Sequence, residues 1–174
     1  MPGAGKGVFR RNIQELHYPV VIMGDEVREE VKRQNLKPTP QNMGKVMLNI
    51  REKYGSAAIA KRCIPKLEKT DKTIIFVDGV RSLGEVDEFK KHFPNFVILA
   101  IHASPKTRYQ RLFRRGRSDD PRNWKTFMER DLRELGIGVG SVISIADYMI
   151  VNEGTIAQLR QRTKQFMKRV LTCE

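Results

Sequence analysis

The first seven residues form most of a phosphate-binding loop, and this feature constrains the fold of the chain more than any other. The pattern of such a loop is G-x-x-x-x-G-K-[ST], and Gly5 and Lys6 fill its G-K positions. Backbone N–H groups of the loop turn towards a β-phosphate, the lysine reaches the β- and γ-phosphates, and the following helix directs its positive end at them. The residues predicted to bind a nucleotide in this way are Met1, Pro2, Gly3, Ala4, Gly5, Lys6 and Gly7.

Two positions differ from the full pattern. The first glycine would come one residue before Met1, and the buried strand that normally leads into the loop would come before that glycine. We therefore expect the complete domain to start upstream of Met1. Gly7 stands where Ser or Thr would give a hydroxyl ligand to Mg²⁺, so the metal would need another protein ligand here.

Length and composition indicate one globular domain, residues 1–174, since 40% of the 174 residues are hydrophobic. No apolar run approaches the ~20 residues of a membrane span, and the N-terminus lacks the apolar stretch of a signal peptide. Cys63 and Cys173 are too few for a disulfide framework, so we expect a reducing cytoplasm. The net charge of +13 indicates polyanionic partners, either ATP with a phosphorylated acceptor or a nucleic acid.

Four short apolar runs are typical of buried parallel strands, because they are rich in β-branched residues and continuous rather than alternating. Helical segments separate them, and this alternation predicts an α/β doubly wound fold with a parallel sheet. Helix starts are marked by caps, such as Ser82 with Glu85, and Asp120 followed by proline predicts another start. The predicted strands are Val20–Met23, Thr73–Val77, Phe96–Ile101 and Tyr148–Val151.

Polar residues follow these strands at the edge where an open α/β sheet binds its ligands. Asp78 comes directly after the second strand, where a carboxylate would support Mg²⁺; a turn or capping role is the alternative. Arg28 and Arg81 come about one turn after the first and second strands. An arginine there can bind an acceptor phosphate through two parallel hydrogen bonds, or it can be an ordinary surface residue.

The densest cationic segment runs from Lys106 to Arg117 and predicts a mobile lid, about residues 106–135. The helical pattern breaks at Gly116 and resumes at Pro121. Arginines in such a loop would stabilise the charge of a phosphoryl group in transfer, and a solvated helix face is the alternative. The arginines predicted to do so are Arg114, Arg115 and Arg117.

The last predicted helix, Ile156–Leu171, carries five basic residues and no acidic one. Its apolar stripe is expected to dock on the sheet through Ile156, Leu159, Phe166 and Val170. The basic side is a solvated face or a weak contact for RNA or DNA. The four tyrosines and the one tryptophan of the chain are not interleaved with basic residues, so no stacking platform for single strands is visible.

With these motifs in view, the chain resembles the nucleoside monophosphate kinases. Gly24-Asp25-x-x-Arg28 is similar to the T-G-D-x-x-R stretch of adenylate kinases, whose arginine grips the acceptor phosphate, and this likeness also implicates Asp25. The segment 77–81 is similar to their D-G-F-P-R, one residue shorter, and 117–120 to the end of their lid. The resemblance implies acceptor-binding helices over about residues 25–70. It also implies the strand order 2-3-1-4-5, with strand 1 absent from this chain.

The tail from Ala146 to Thr155 is similar to dephospho-CoA kinases, in which the asparagine-glycine turn lies by the adenine; this implicates Asn152 and Gly154. Nearly the whole chain resembles an archaeal family of unsettled activity that is described as nucleotide-kinase-like and ATP-binding. The shared motifs are M-G-D-x-V-R-E-E, D-G-[IV]-R-S, I-H-A-S-P, G-R-S-D-D and A-D-Y-M-I-V-N-E-G.

Residues and resemblance together favour a P-loop kinase that uses ATP and Mg²⁺ to phosphorylate a nucleotide or a related small molecule. Two other classes stay open at this point. One is a nucleotide-dependent switch or slow ATPase without a small acceptor. The other is a basic nucleic-acid-binding protein that binds ATP incidentally. The motifs do not name the acceptor, the base of the nucleotide or the oligomeric state.

Overall fold

Helices and strands alternate along most of the chain in the computed structural model, which describes residues 1–117 and 120–171. The strands are β1 (Val20–Ile22), β2 (Phe76–Asp78), β3 (Leu99–His102) and β4 (Tyr148–Val151). The helices are α1 (Lys6–Glu15), α2 (Met23–Arg33), α3 (Pro40–Tyr54), α4 (Ala58–Glu68), α5 (Leu83–His92), α6 (Pro105–Arg115), α7 (Trp124–Ile137), α8 (Val139–Ser144) and α9 (Ile156–Leu171). None of the helices described is both long and apolar enough to cross a membrane.

Side-chain caps fix several helix starts where the sequence predicts them. Ser82 Oγ accepts a hydrogen bond from the Glu85 N–H at 3.3 Å, and a Glu85 carboxylate oxygen accepts one from the Ser82 N–H at 3.2 Å. This is the predicted capping box of α5. The predicted start at Asp120 is wrong, because α7 begins at Trp124 behind Asn123. The carboxylate of Asp120 binds an arginine and a backbone N–H of the preceding segment instead of a helix end.

The strands form two separate parallel pairs. β1 pairs with β2, with Val20 opposite Phe76, and β3 pairs with β4, with Leu99 opposite Tyr148. Parallel pairing is as predicted, although three of the strands are shorter than their apolar runs. For example, β2 begins at Phe76 and not at Thr73, because the residues before it form no ladder.

A cavity of about 900 Å³ lies between the two strand pairs. Residues of both β2 and β3 line it, and among the described residues no ladder joins these two strands. The implied order, with strand 1 absent, predicts that the second and third apolar runs do not pair with each other, and the described strands agree on this point. The full order 2-3-1-4-5 stays a prediction.

The two larger clusters of buried apolar side chains in the described residues hold the layers together, and a third, smaller one contains Val86, Ile98 and Val142. The helical core consists of residues from α2, α3, α4 and α5 and is packed on β1 and β2. The sheet core consists of residues from α1 and α9 together with β3 and β4. The predicted stripe of α9 is wrong at Ile156, which is 59% exposed, because the helix turns Leu159, Thr163 and Met167 inwards. Cys63 is buried in the helical core, and Cys173 lies outside the described residues.

Candidate functional site

The strand registers place the candidate residues at one end of each pair. Ile22 stands opposite Asp78 at the end of the first pair, and His102 opposite Val151 at the end of the second. All four strands are parallel within their pairs, so these are carboxyl ends, where open α/β sheets bind their ligands. The amino end of α1 meets the first of these edges through Lys6, which contacts Asp78.

The loop before α1 has the backbone conformation of a tight turn. Gly3 and Gly5 have φ values of 80° and 111°, in the left-handed region that favours glycine. A side chain at Gly5 would overlap the Asn152 amide. That amide donates a hydrogen bond to the Ala4 carbonyl at 2.8 Å, so the turn after β4 holds the loop in place. No side chain caps the first turn of α1. The Val8 N–H already donates to the Gly5 carbonyl at 2.9 Å, which leaves the Lys6 and Gly7 N–H groups at the helix start for a ligand.

Lys6 and Asp78 meet although 71 residues separate them in the sequence. Lys6 Nζ lies 4.0 Å from one oxygen of Asp78, and Arg10 Nη1 lies 3.2 Å from the other. Burial lowers the pKa of Lys6 below its ordinary value, and the charge of Asp78 opposes this shift. The Lys6 side chain is still 39% exposed, so a ligand can reach its ammonium group. A cation at a helix start beside a single carboxylate suits a phosphate with its metal ion.

Arg81 joins this cluster through the turn after β2. Gly79 follows Asp78 directly and has a φ of 116°, in the left-handed region that favours glycine. The Arg81 N–H then donates to Glu85 at 2.7 Å, so its backbone is fixed. The Arg81 guanidinium binds Glu134 of α7, with 3.0 Å between Nε and Oε2. The structure thus brings Lys6, Asp78 and Arg81 into one charged cluster.

Asp25 and Arg28 form a pair of their own in the first turns of α2. Their side chains are bonded to each other, and about half of each is exposed. They lie on the helix that continues β1, next to the strand that ends at Asp78. Both residues are therefore at the predicted edge, and Arg28 makes no ion pair with the cluster around Lys6 in the part of the chain described.

The three predicted lid arginines differ in their surroundings. Arg114 and Arg117 are exposed, whereas Arg115 binds the buried carboxylate of Asp120 through Nε at 2.8 Å and Nη2 at 2.5 Å. Burial would raise the pKa of Asp120, but its bonds to Arg115 and to the Arg117 N–H hold that pKa below the ordinary value. The other two residues of the predicted lid end, 118 and 119, lie outside the described residues.

The protein side chains at this site could hold a magnesium ion only together with phosphate oxygens. The described residues contain no group of three or more His, Cys, Asp or Glu side chains that could hold a metal alone. Mg²⁺ usually takes one or two carboxylates and completes its shell with phosphates and water, and Asp78 supplies one carboxylate. A Cβ added at Gly7 would meet no atom within 4 Å, so the position has room for the hydroxyl it lacks.

Known proteins share both the sequence and the fold. A UPF0200 protein of Hyperthermus butylicus is 45% identical over 98% of this chain and 91% of its own length. The UPF0200 protein MJ1399 of Methanocaldococcus jannaschii is 44% identical over 98% and 87%. A family profile described as an AAA domain matches residues 1–128.

The chain belongs to the UPF0200 family, and residues 1–128 to the AAA-domain family. The crystal structure of TT1252 from Thermus thermophilus superposes with a TM-score of 0.63 over 98% of this chain and 92% of that one, at 15% identity. Its likeness supports the fold alone. The predicted P-loop α/β fold and the resemblance to an archaeal P-loop family are thereby confirmed.

Two arginines of α6 are part of the site framework that the sequence did not reveal. Arg108 is buried and binds Asp131 of α7 with both ends of its guanidinium, at 2.7 and 2.5 Å. It also donates to the Pro2 carbonyl at 3.3 Å and thus reaches the phosphate loop. Arg111 donates to the carbonyls of Asn152 and Gly154 at 2.8 and 2.7 Å.

These framework arginines were hidden among the other charges of the same helix. The only signal was their spacing, because residues 108, 111 and 115 lie three and four positions apart and so share one face of α6. Glu134 and Asp131 likewise lie three apart on α7. Arg108 and Asp131 do face each other, but Arg111 binds carbonyls after β4 and Glu134 binds Arg81, so the spacing alone does not give the partners.

Proposed function

We propose that this protein is an ATP-dependent kinase of the nucleotide-kinase type. It would transfer the γ-phosphoryl group of ATP to a phosphorylated small-molecule acceptor. An acceptor oxygen forms the new bond to the γ-phosphorus, the bond from that phosphorus to the β–γ bridging oxygen breaks, and ADP leaves. The observation that carries the proposal is the convergence of Lys6, Asp78 and Arg81 at the carboxyl end of β2.

Each residue of the cluster has a role in this scheme. Lys6 and the loop backbone would hold the donor phosphates. Asp78 would hold Mg²⁺ together with phosphate oxygens, and the ion would neutralise charge on the γ-phosphate. Arg81 and Arg28, the latter beside Asp25, would hold the acceptor phosphate, because guanidinium groups match phosphate with two parallel bonds.

The remaining predicted residues complete the proposal. Arg114, Arg115 and Arg117 would cover the transferred phosphoryl group when the lid, residues 106–135, closes. The turn of Asn152 and Gly154 would lie by the nucleotide base, and the helices of residues 25–70 would form the acceptor side. We also propose the strand order 2-3-1-4-5, in which the four observed strands are numbers 2, 3, 4 and 5. Two cysteines in 174 residues support a cytoplasmic location.

The binding step is tested by Lys6→Ala. We expect the variant to bind ATP with Mg²⁺ at least about tenfold more weakly in titration calorimetry, because the lysine charge faces the donor phosphates. Lys164→Ala removes the same charge from an exposed position on α9 and is the matched control. Equal affinity for ATP in both variants would overturn the phosphate-loop role.

The transfer step is tested by a panel of acceptors. ADP production that depends on a nucleoside monophosphate or on dephospho-CoA supports the kinase. Hydrolysis at the same rate without any acceptor would favour a switch or slow ATPase instead. Affinity for RNA or DNA that falls steeply with salt, without nucleotide turnover, would favour the nucleic-acid-binding alternative.

A further inference from the structure

Glu134 is a carboxylate placed inside the cluster of cations. It lies near the end of α7, with 20% of its side chain exposed, and its Oε2 is 3.0 Å from Arg81 Nε. It also acts electrostatically on Lys6, and Lys6 acts on it. Arg81 is thus paired with Glu134 directly, whereas Lys6 is coupled to Glu134 through electrostatics alone.

The charge of Glu134 is stabilised by its surroundings. Burial would raise its pKa, but Arg81, Lys6 and Arg130 outweigh burial and hold that pKa below its ordinary value. The residue is therefore an anion at neutral pH. Asp78, the other carboxylate at Lys6, is fixed on β2, whereas Glu134 is the end of a flexible side chain on a helix.

We propose that Glu134 occupies the anion position beside Arg81, within electrostatic reach of Lys6, until a phosphorylated ligand displaces it. This inference rests on the proposed function, since it assigns the same two cations to phosphates. Glu134 would then determine specificity, because only a ligand with enough negative charge to replace a carboxylate gains full access to both cations. A terminal or bridging phosphate meets that condition, and a weakly charged anion does not.

A purely structural role for Glu134 and competition with phosphate predict opposite changes in phosphate affinity when the charge of Glu134 is removed. If Glu134 merely orients Arg81, its loss should weaken phosphate binding, because the arginine would no longer be held. If Glu134 competes with phosphate, its neutralisation should strengthen binding. Glu134→Gln separates the two cases, because glutamine keeps the shape of the side chain and an oxygen that accepts the Arg81 N–H.

The test measures tripolyphosphate binding by titration calorimetry in the 174-residue chain. We expect Glu134→Gln to bind tripolyphosphate about tenfold more tightly than the parent, within the usual range of coupling between sites. Glu129→Gln is the matched control, because Glu129 is exposed on the same helix and the substitution makes the same change in net charge. It should alter the affinity less than about twofold. Adding Arg81→Ala to Glu134→Gln should abolish most of the gain.

The outcomes separate the inference from the function on which it rests. Tripolyphosphate binding by the parent, with no gain or a loss in Glu134→Gln relative to Glu129→Gln, would overturn the inference and leave the phosphate site standing. Absence of tripolyphosphate binding in all of these proteins would overturn the proposed function and the inference with it. A thermal melt of each variant checks that it is folded.

Discussion

The helical core and the sheet core differ in how completely they are closed. Twelve buried apolar residues form the helical core, and only Leu67 and Phe89 of these border the cavity between the strand pairs. Seven form the sheet core, and three of them, Phe9, Ile13 and Ile101, border that cavity. Helices packed on helices can close a core among themselves. A core built around strands depends on each strand having its neighbours.

Filling the cavity should therefore give the largest change in the free energy of unfolding. It should also make the sheet core as closed as the helical core. We expect about six apolar residues added before Met1 to enter the cavity as a strand and to stabilise the protein by roughly 5 kcal/mol. Three or four newly buried side chains contribute about 1.5–3 kcal/mol each, and about ten new ladder hydrogen bonds contribute about 1 kcal/mol each; ordering the added residues costs about 1–2 kcal/mol per residue. Urea unfolding followed by circular dichroism measures the effect.

The control for this experiment is an extension of the same length that carries two prolines. Proline cannot donate to a strand ladder, so this extension should add little stability. Equal stability of the two extended proteins would show that no strand forms in the cavity. A highly stable, cooperative melt of the 174-residue chain itself would also contradict the view that its sheet core is incomplete.

Two matched substitutions, one in each core, should change the free energy of unfolding by an intermediate amount. Ile59 of the helical core and Ile13 of the sheet core are both almost fully buried, but only Ile13 borders the cavity. We expect Ile59→Ala to cost about 4 kcal/mol of unfolding free energy and Ile13→Ala about 2 kcal/mol. A side chain beside a void has fewer neighbours to lose. An equal or larger cost at Ile13, measured by denaturant unfolding, would remove the distinction between the cores.

The smallest effect concerns which element, α1 or β2, supplies the protein ligand of the metal. Gly7 lies on α1, which packs in the sheet core, whereas Asp78 ends β2 beside the helical core. We expect Gly7→Ser to increase the Mg²⁺-dependent part of ATP affinity severalfold, because it supplies a hydroxyl ligand at a position with open space. Gly7→Ala is the matched control and should leave that part unchanged. If serine and alanine give the same Mg²⁺ dependence, the metal is held by other groups, with Asp78 the first to test.

The sequence predicts elements well where a local signal exists. The capping pair Ser82–Glu85 gave the start of α5, and the continuous apolar runs gave parallel pairing. The prediction failed at Asp120 because its carboxylate binds back to Arg115 and to the Arg117 N–H instead of capping the next helix, and no cap pattern reveals this choice. Strand ends were also missed, since a ladder needs a partner strand and the apolar run alone does not show where pairing stops.

The residues of the candidate site could also be predicted only where the sequence carries a local signal. Lys6, Asp78 and Arg81 follow known loop and strand-end positions, and the structure brings them together. Their functional roles stay predictions. Arg108 and Glu134 could not be assigned, because their partners are distant in the sequence, and single-sequence patterns carry no information on which charges meet in space.

The buried pair of Arg108 and Asp131 has a consequence for how this sequence can change over evolutionary time. Removing one member of a buried ion pair typically costs about 3–5 kcal/mol, because the other charge is left without compensation. That amount is a large fraction of the about 5–15 kcal/mol by which a typical domain is stable. Because the same arginine reaches the Pro2 carbonyl of the loop, such a loss would also disturb the phosphate site. We therefore expect selection to remove replacements of Arg108 or Asp131 alone. The two positions should change only together in related sequences.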